Sequence, residues 1–128
     1  MILLDTASWI WYASQSAELS PMALAALEAD ETKLVSAISV WEVGMLVAKQ
    51  RIRLDRPVET WVELALRLPG LEPVTVDQTV ALLATRLPGL PPPDPADRMI
   101  LATALVLGCS LLTPDRRMLE YAHVPTIW

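Results

Sequence analysis

Short, wholly apolar runs alternate with longer stretches of helical spacing along this chain of 128 residues, and that alternation limits the folds open to it. Met1 to Leu4 reads as a first strand, Leu34 and Val35 as a second, the residues around Glu72 to Val74 as an extended piece, and Ser110 to Leu112 as a further strand. Between them, helices are expected over Thr6 to Ala13, Ser20 to Glu28 with Pro21 in the first turn, Val40 to Lys49 opened by Ser39, and Val58 to Leu68. Three more follow over Asp77 to Arg86, Ala96 to Leu107 ended by Gly108, and Pro114 to Tyr121. Strands that are apolar throughout, without a polar face, belong in a parallel sheet covered on both sides. The expectation is an α/β fold, a central and mostly parallel sheet of about five short strands flanked by helices, in a single domain spanning residues 1–128.

Composition agrees. Hydrophobic residues make up 53% and charged residues 20%, which excludes a disordered chain and provides a thick interior. No apolar run is long enough to cross a membrane, and Met1 to Asp5 has neither the basic start nor the apolar length of a signal peptide, so a cytoplasmic setting without membrane contact is expected. The lone Cys109 reads as a small core residue. A net charge of −5 argues against an extended basic surface, although bases are grouped at Lys49, Arg51 and Arg53 and again at Arg116 and Arg117.

Asp5, Glu42, Asp97 and Asp115 each lie where an apolar run or a proline loop hands over to a helix. Taken singly, each reads as a cap: Ser39 to Glu42 has the form of a capping box, Asp94 precedes a first-turn Pro95, and Thr113 precedes Pro114. Taken together, strand ends of one sense lie along one edge of a parallel sheet, so these carboxylates can meet in the crevice beyond it. Clustered carboxylates repel one another and offer only hard oxygen donors, which suits Mg²⁺ or Mn²⁺ and phosphodiester chemistry.

The stretches Leu3 to Thr6, Ser36 to Val43, Asp94 to Ala104 and Leu111 to Arg117 resemble the PIN domain, and in particular the VapC-type toxins of bacterial toxin–antitoxin pairs. That resemblance covers nearly the whole chain, and its Asp-Pro-x-Asp-Arg and Thr-Pro-Asp segments are its most specific parts. It implies a PIN-like fold, an RNA-cleaving enzyme dependent on Mg²⁺ or Mn²⁺, a small VapB-like antitoxin that blocks the active site, and a homodimer able to join a larger toxin–antitoxin assembly. By the same likeness Asp5, Glu42, Asp97 and Asp115 form the catalytic, metal-binding quartet, with Asp94 in support; Thr113 and Ser39 are further expected to support the site, and Lys49, Arg98 and Arg116 to meet RNA. Many relatives carry a His shortly before the Asp-Pro motif, where this chain has Pro91, Pro92 and Pro93.

A receiver-like Mg²⁺-binding signalling domain is the alternative, since it too sets acids at parallel strand ends; the paired acid expected after its first strand is missing, as only Asp5 stands there. A nucleotide-binding module is weaker still, because none of the four glycines builds a phosphate-cradling loop. Among the aromatics, Trp41, Trp61 and Trp128 are expected to fill the interior. Trp9, Trp11 and Tyr12 crowd one short helix and cannot all face inward, which marks at least one for an interface with a partner. His123 reads as a surface or structural residue. Arg-Leu-Pro-Gly-Leu occurs at residues 67–71 and again at 86–90, where each copy reads as a helix stop.

Overall fold

A computed structural model describes residues 1–128. Five strands, β1 (Ile2–Leu4), β2 (Lys33–Ser36), β3 (Leu71–Val74), β4 (Ser110–Leu112) and β5 (Thr126–Ile127), form one sheet in the order β3-β2-β1-β4-β5. Every pairing is parallel. The α/β expectation holds, and β5 is a strand that its length and flanking Pro125 concealed. The order also separates the chain from a receiver-like domain, whose sheet runs 2-1-3-4-5.

Seven helices surround the sheet: α1 (Thr6–Ala13), α2 (Pro21–Ala29), α3 (Ala37–Ala48), α4 (Val58–Leu66), α5 (Gln78–Ala84), α6 (Pro95–Leu107) and α7 (Arg116–Leu119). Successive side chains of the strands point to opposite faces. Leu3, Leu34 and Leu111 enter one core with Val80, Ile100, Leu101 and Met118 from α5, α6 and α7. Leu4, Val35 and Leu112 enter the other with Trp9, Leu27, Val43 and Trp61 from α1, α2, α3 and α4. Helix α3 belongs to both layers, since Ile38 packs on the first core while Val43 is buried in the second. It therefore lies across the end of the sheet.

Local chemistry sets the boundaries. Asp5, Ser20, Asp77 and Asp94 accept hydrogen bonds from backbone N–H groups at the starts of α1, α2, α5 and α6, and Gly108 closes α6 in the left-handed conformation with φ 64°. Two caps differ from expectation. Strand β2 runs to Ser36, whose Oγ accepts from the Ile38 N–H, so α3 begins one turn early and Ser39 and Glu42 lie inside it, with no capping box. Helix α7 is likewise capped by Asp115, not Thr113, and covers only four residues. Both copies of the repeated pentapeptide stop a helix with a glycine at positive φ. At Gly70 a Cβ would lie 2.3 Å from the Glu31 carbonyl oxygen, so no other residue fits there.

Trp41, expected in the core, points outward from α3 and is 59% exposed, because the inward positions of that helix belong to Ile38, Val40 and Val43. Trp9 is wholly buried with its ring edge against Trp61, centroids 5.2 Å apart, which removes it from any interface. Trp11 and Tyr12 are half-buried. Cys109 is buried and His123 is exposed beside Tyr121, as expected. These placements predict opposite outcomes for two substitutions. Trp9→Ala should cost roughly 3–5 kcal/mol in urea-induced unfolding, whereas Trp41→Ala should stay within about 0.5 kcal/mol of the unmutated protein.

Candidate active site

Strands β1 to β3 run outward to one side of the sheet and β4 to β5 to the other, so the order reverses between β1 and β4. A crevice opens beyond the carboxyl ends of strands at such a switch point. Asp5 follows β1 directly, and Thr113 and Asp115 follow β4. Glu42 reaches the crevice from the second turn of α3, and Asp97 from the first turn of α6. All four acids line a single cleft of about 500 Å³ together with Thr6, Ile10, Trp11, Leu46 and Ile52. As read from the sequence, Asp97 opens a helix after the proline loop and Asp5 and Asp115 stand beside strand ends, whereas Glu42 lies deeper in its helix than the third position expected for it.

Asp5 is buried at the floor, 4% exposed. Its Oδ1 accepts from the Ser8 N–H at 2.8 Å and its Oδ2 from the Thr113 hydroxyl at 2.6 Å. Thr113 in turn accepts from the Asp115 N–H at 3.1 Å, so one buried hydroxyl orients two of the acids. Glu42 is held differently. Thr6 has one hydroxyl proton, which it donates to Glu42 Oε1, and the Ser39 hydroxyl lies 2.9 Å from the Thr6 oxygen and can supply the proton for that contact. Asp94 Oδ1 accepts from the Asp97 N–H at 2.9 Å, fixing the turn that carries Asp97.

Of the residues expected to support the acids, Thr113 bonds Asp5, Asp94 accepts from the Asp97 N–H, and Ser39 meets Glu42 only by way of Thr6. Thr6 and Ser8 were not anticipated. Their signal was the Asp-Thr-x-Ser order itself, which puts a hydroxyl one residue after Asp5 and a helical N–H three residues after it. Of the bases, Lys49 and Arg116 are exposed, at the end of α3 and the start of α7. Arg98 is half-buried, and its Nε donates to the Ala84 carbonyl at 2.7 Å, joining α5 to α6.

Burial is the largest influence on the acids. It pushes Asp5 above the usual carboxylate range against the opposing bonds from Ser8 and Thr113, with the Asp115 charge adding to the rise. Burial also raises Glu42, opposed by Thr6 and reinforced by Asp94 and Asp5. Asp97 goes furthest, to about 7, through burial and then through the charges of Asp94, Asp115, Glu42 and Asp5. Asp97 feels each of the other acids and no base, which is the electrostatic signature of a site suited to a cation.

No three of these groups are gathered closely enough to enclose an ion by themselves. The donor set nevertheless fits a hard cation of one kind. Mg²⁺ keeps several waters and binds through one or two carboxylates plus substrate phosphate, so an open all-oxygen cleft suits it where a closed protein cage would not.

The PIN domain family model matches residues 2–124. The chain is 38% identical to Ribonuclease VapC22 of Mycobacterium tuberculosis over 99% of its own length and 98% of that protein. Among solved structures it resembles a toxin–antitoxin complex from Klebsiella pneumoniae, with TM-score 0.70 and 25% identity over 97% of this chain and 95% of that one. It shares its fold with FitAcB from Neisseria gonorrhoeae at TM-score 0.66 and 24% identity, covering 98% of this chain and 96% of that one. The chain belongs to the PIN domain family and sits among its VapC-like members. No helix is long and apolar enough to cross a membrane.

The raised carboxyls set a pH dependence for the metal-free protein. Asp97 ionises near 3.8 as an ordinary carboxyl and near 7 in the folded chain, so between those values the native state holds a proton that the unfolded state lacks. Stability therefore falls as pH rises through that window, and Asp5 and Glu42, also raised, act in the same sense. Thermal melts in chelator should show a higher midpoint at pH 5 than at pH 7.5. Asp97→Asn should flatten that difference and melt at pH 7.5 no lower than the unmutated chain, since relief of repulsion offsets a helix-dipole loss of about 0.3–1 kcal/mol. A variant that melts far lower, with the pH difference intact, would reduce Asp97 to a first-turn acid that only stabilises its helix.

Proposed function

We propose that this protein is a Mg²⁺- or Mn²⁺-dependent ribonuclease and the toxin of a toxin–antitoxin pair. The observation that carries the reading is the convergence of Asp5, Glu42, Asp97 and Asp115 on one cleft at the sheet's switch point. The name of its relative in M. tuberculosis, a ribonuclease matched end to end, supports RNA as the substrate. The similarity to a chain in a toxin–antitoxin complex from K. pneumoniae supports a VapB-like antitoxin as the partner. A homodimer within such an assembly and a cytoplasmic location complete the proposal.

In this reading one or two of the four carboxylates at a time ligate the cation, which keeps several of its waters, with Asp5 as the fixed floor and Glu42, Asp97 and Asp115 as the walls. A divalent ion bound there supplies a more acidic water and a counter-charge for the phosphodiester oxygens. The chain's own work is positional. Thr113 and Ser8 hold both oxygens of Asp5 in place, and Thr6 fixes one oxygen of Glu42. Lys49 and Arg116, exposed at helix ends, and Arg98 are the bases assigned to the RNA backbone in this reading, although none of them lines the cleft itself.

The test is cleavage of a structured RNA with Mg²⁺, with Mn²⁺ and with EDTA. EDTA should abolish the activity, and an unchanged rate in chelator would overturn the metal mechanism. Asp5→Asn, Glu42→Gln, Asp97→Asn and Asp115→Asn should each remove most cleavage. Double variants should be little worse than singles, because the first loss already disables the unit. Thr113→Val should weaken cleavage roughly 10- to 100-fold by loosening Asp5, as expected for a group behind a metal ligand.

A further inference from the structure

The cleft that gathers the acids has a second, apolar wall. Thr6, Ala7, Ile10 and Trp11 line it from one face of α1, and Leu46 and Ile52 face it from the end of α3 and the turn beyond. The helical repeat sorts the aromatics of α1. Trp9 points into the core and is wholly buried, whereas Trp11, two residues on, is turned to the cleft and left half-buried. Trp11 is also held in place, its ring tilted 49° against Trp128 with centroids 5.8 Å apart. A braced, partly accessible indole on the apolar wall of an acid-floored cleft is not needed to hold a cation. It places an aromatic ring on the wall beside the acids.

We propose that Trp11 is a substrate-positioning residue, on which the base next to the scissile phosphate stacks. This rests on the ribonuclease reading and deepens it. A base inside a duplex keeps both faces covered by its neighbours and cannot reach the indole, whereas a base splayed from a loop or single strand can. Stacking on an aromatic ring is tolerant of base identity, so Trp11 adds affinity at one position without reading sequence there. The phosphate then lies over the carboxylates while the base turns to the wall formed with Ile10 and Ile52.

The experiment is an abasic scan. A labelled 12-nucleotide single-stranded RNA carrying a cleaved linkage is made with one abasic residue at each position in turn. Binding is read by fluorescence anisotropy in the Asp97→Asn background, where hydrolysis is disabled, with Mg²⁺ present. One abasic position beside the cleaved linkage should weaken binding roughly ten-fold or more. Adding Trp11→Ala or Trp11→Leu should produce a similar loss on intact RNA and erase the penalty at that position, while Trp11→Tyr should preserve both. A flat scan, or a penalty that persists in Trp11→Leu, overturns the proposal. Trp11→Leu keeps apolar bulk against Trp128, and thermal melts of each variant separate a packing defect from a lost stack. Intact RNA affinity in Trp11→Ala with lost antitoxin binding would assign this wall to the protein partner and also overturns it. Failure of the unmutated protein to cleave any RNA would instead strike the ribonuclease reading, which the scan does not probe.

Discussion

The contact on which the rest of the site depends is the 2.6 Å hydrogen bond from the Thr113 hydroxyl to the buried Asp5 carboxylate. It joins the first strand to a residue 108 positions later. Strand pairing brings the ends of β1 and β4 side by side, in the register Leu4 to Leu112, and Thr113 closes that junction with a proton donor. An ionised carboxylate so deeply buried is costly unless donors meet it. Here a helix N–H and a hydroxyl do so, and no buried side-chain polar atom is left without a partner. The same hydroxyl receives the Asp115 N–H, so two acids that follow separate strands are set by one residue.

Around that fixed point the acids are crowded against their own repulsion. Thr6 holds Glu42 and Asp94 caps the turn of Asp97, yet no Lys or Arg is paired with any of the four; the ion pairs of the chain lie elsewhere, at Met1 and Asp30, Asp55 and Arg56, and Glu63 and Arg67. The folded chain thus carries an uncompensated negative pocket, sustained by the two cores on either face of the sheet. Function of this kind is built at the expense of local stability.

Much of this was legible in residue order. Apolar strands without a polar face implied a parallel sheet, and proline and glycine punctuation placed most helices within a few residues. The four acids that line the cleft stood out before any geometry, because their type and their positions at helix starts pointed to one crevice. What misled was local grammar read without tertiary context. Ser39 and Glu42 fit a capping box, but Ser36 ends a strand buried between two neighbours, and its hydroxyl was the nearer cap. Trp41 is large and apolar, but the inward positions of α3 were already claimed by aliphatic residues. Strand β5 has two residues and no pattern to find; it exists because the edge of β4 offers it hydrogen bonds.

The double allegiance of α3 has a further consequence for how such a chain can diverge. Asp5 and Asp115 are anchored to the sheet, and Asp97 to a capped helix start, so each depends on hydrogen bonds close at hand. Glu42 depends on the seating of a whole helix, wedged by Ile38 into one layer and by Val43 into the other. A change of volume in either core tilts that helix and carries Glu42 with it, even when no residue of the cleft has altered. Inherited variation far from the chemistry is therefore filtered through α3, and compensating replacements in the two layers should arise together.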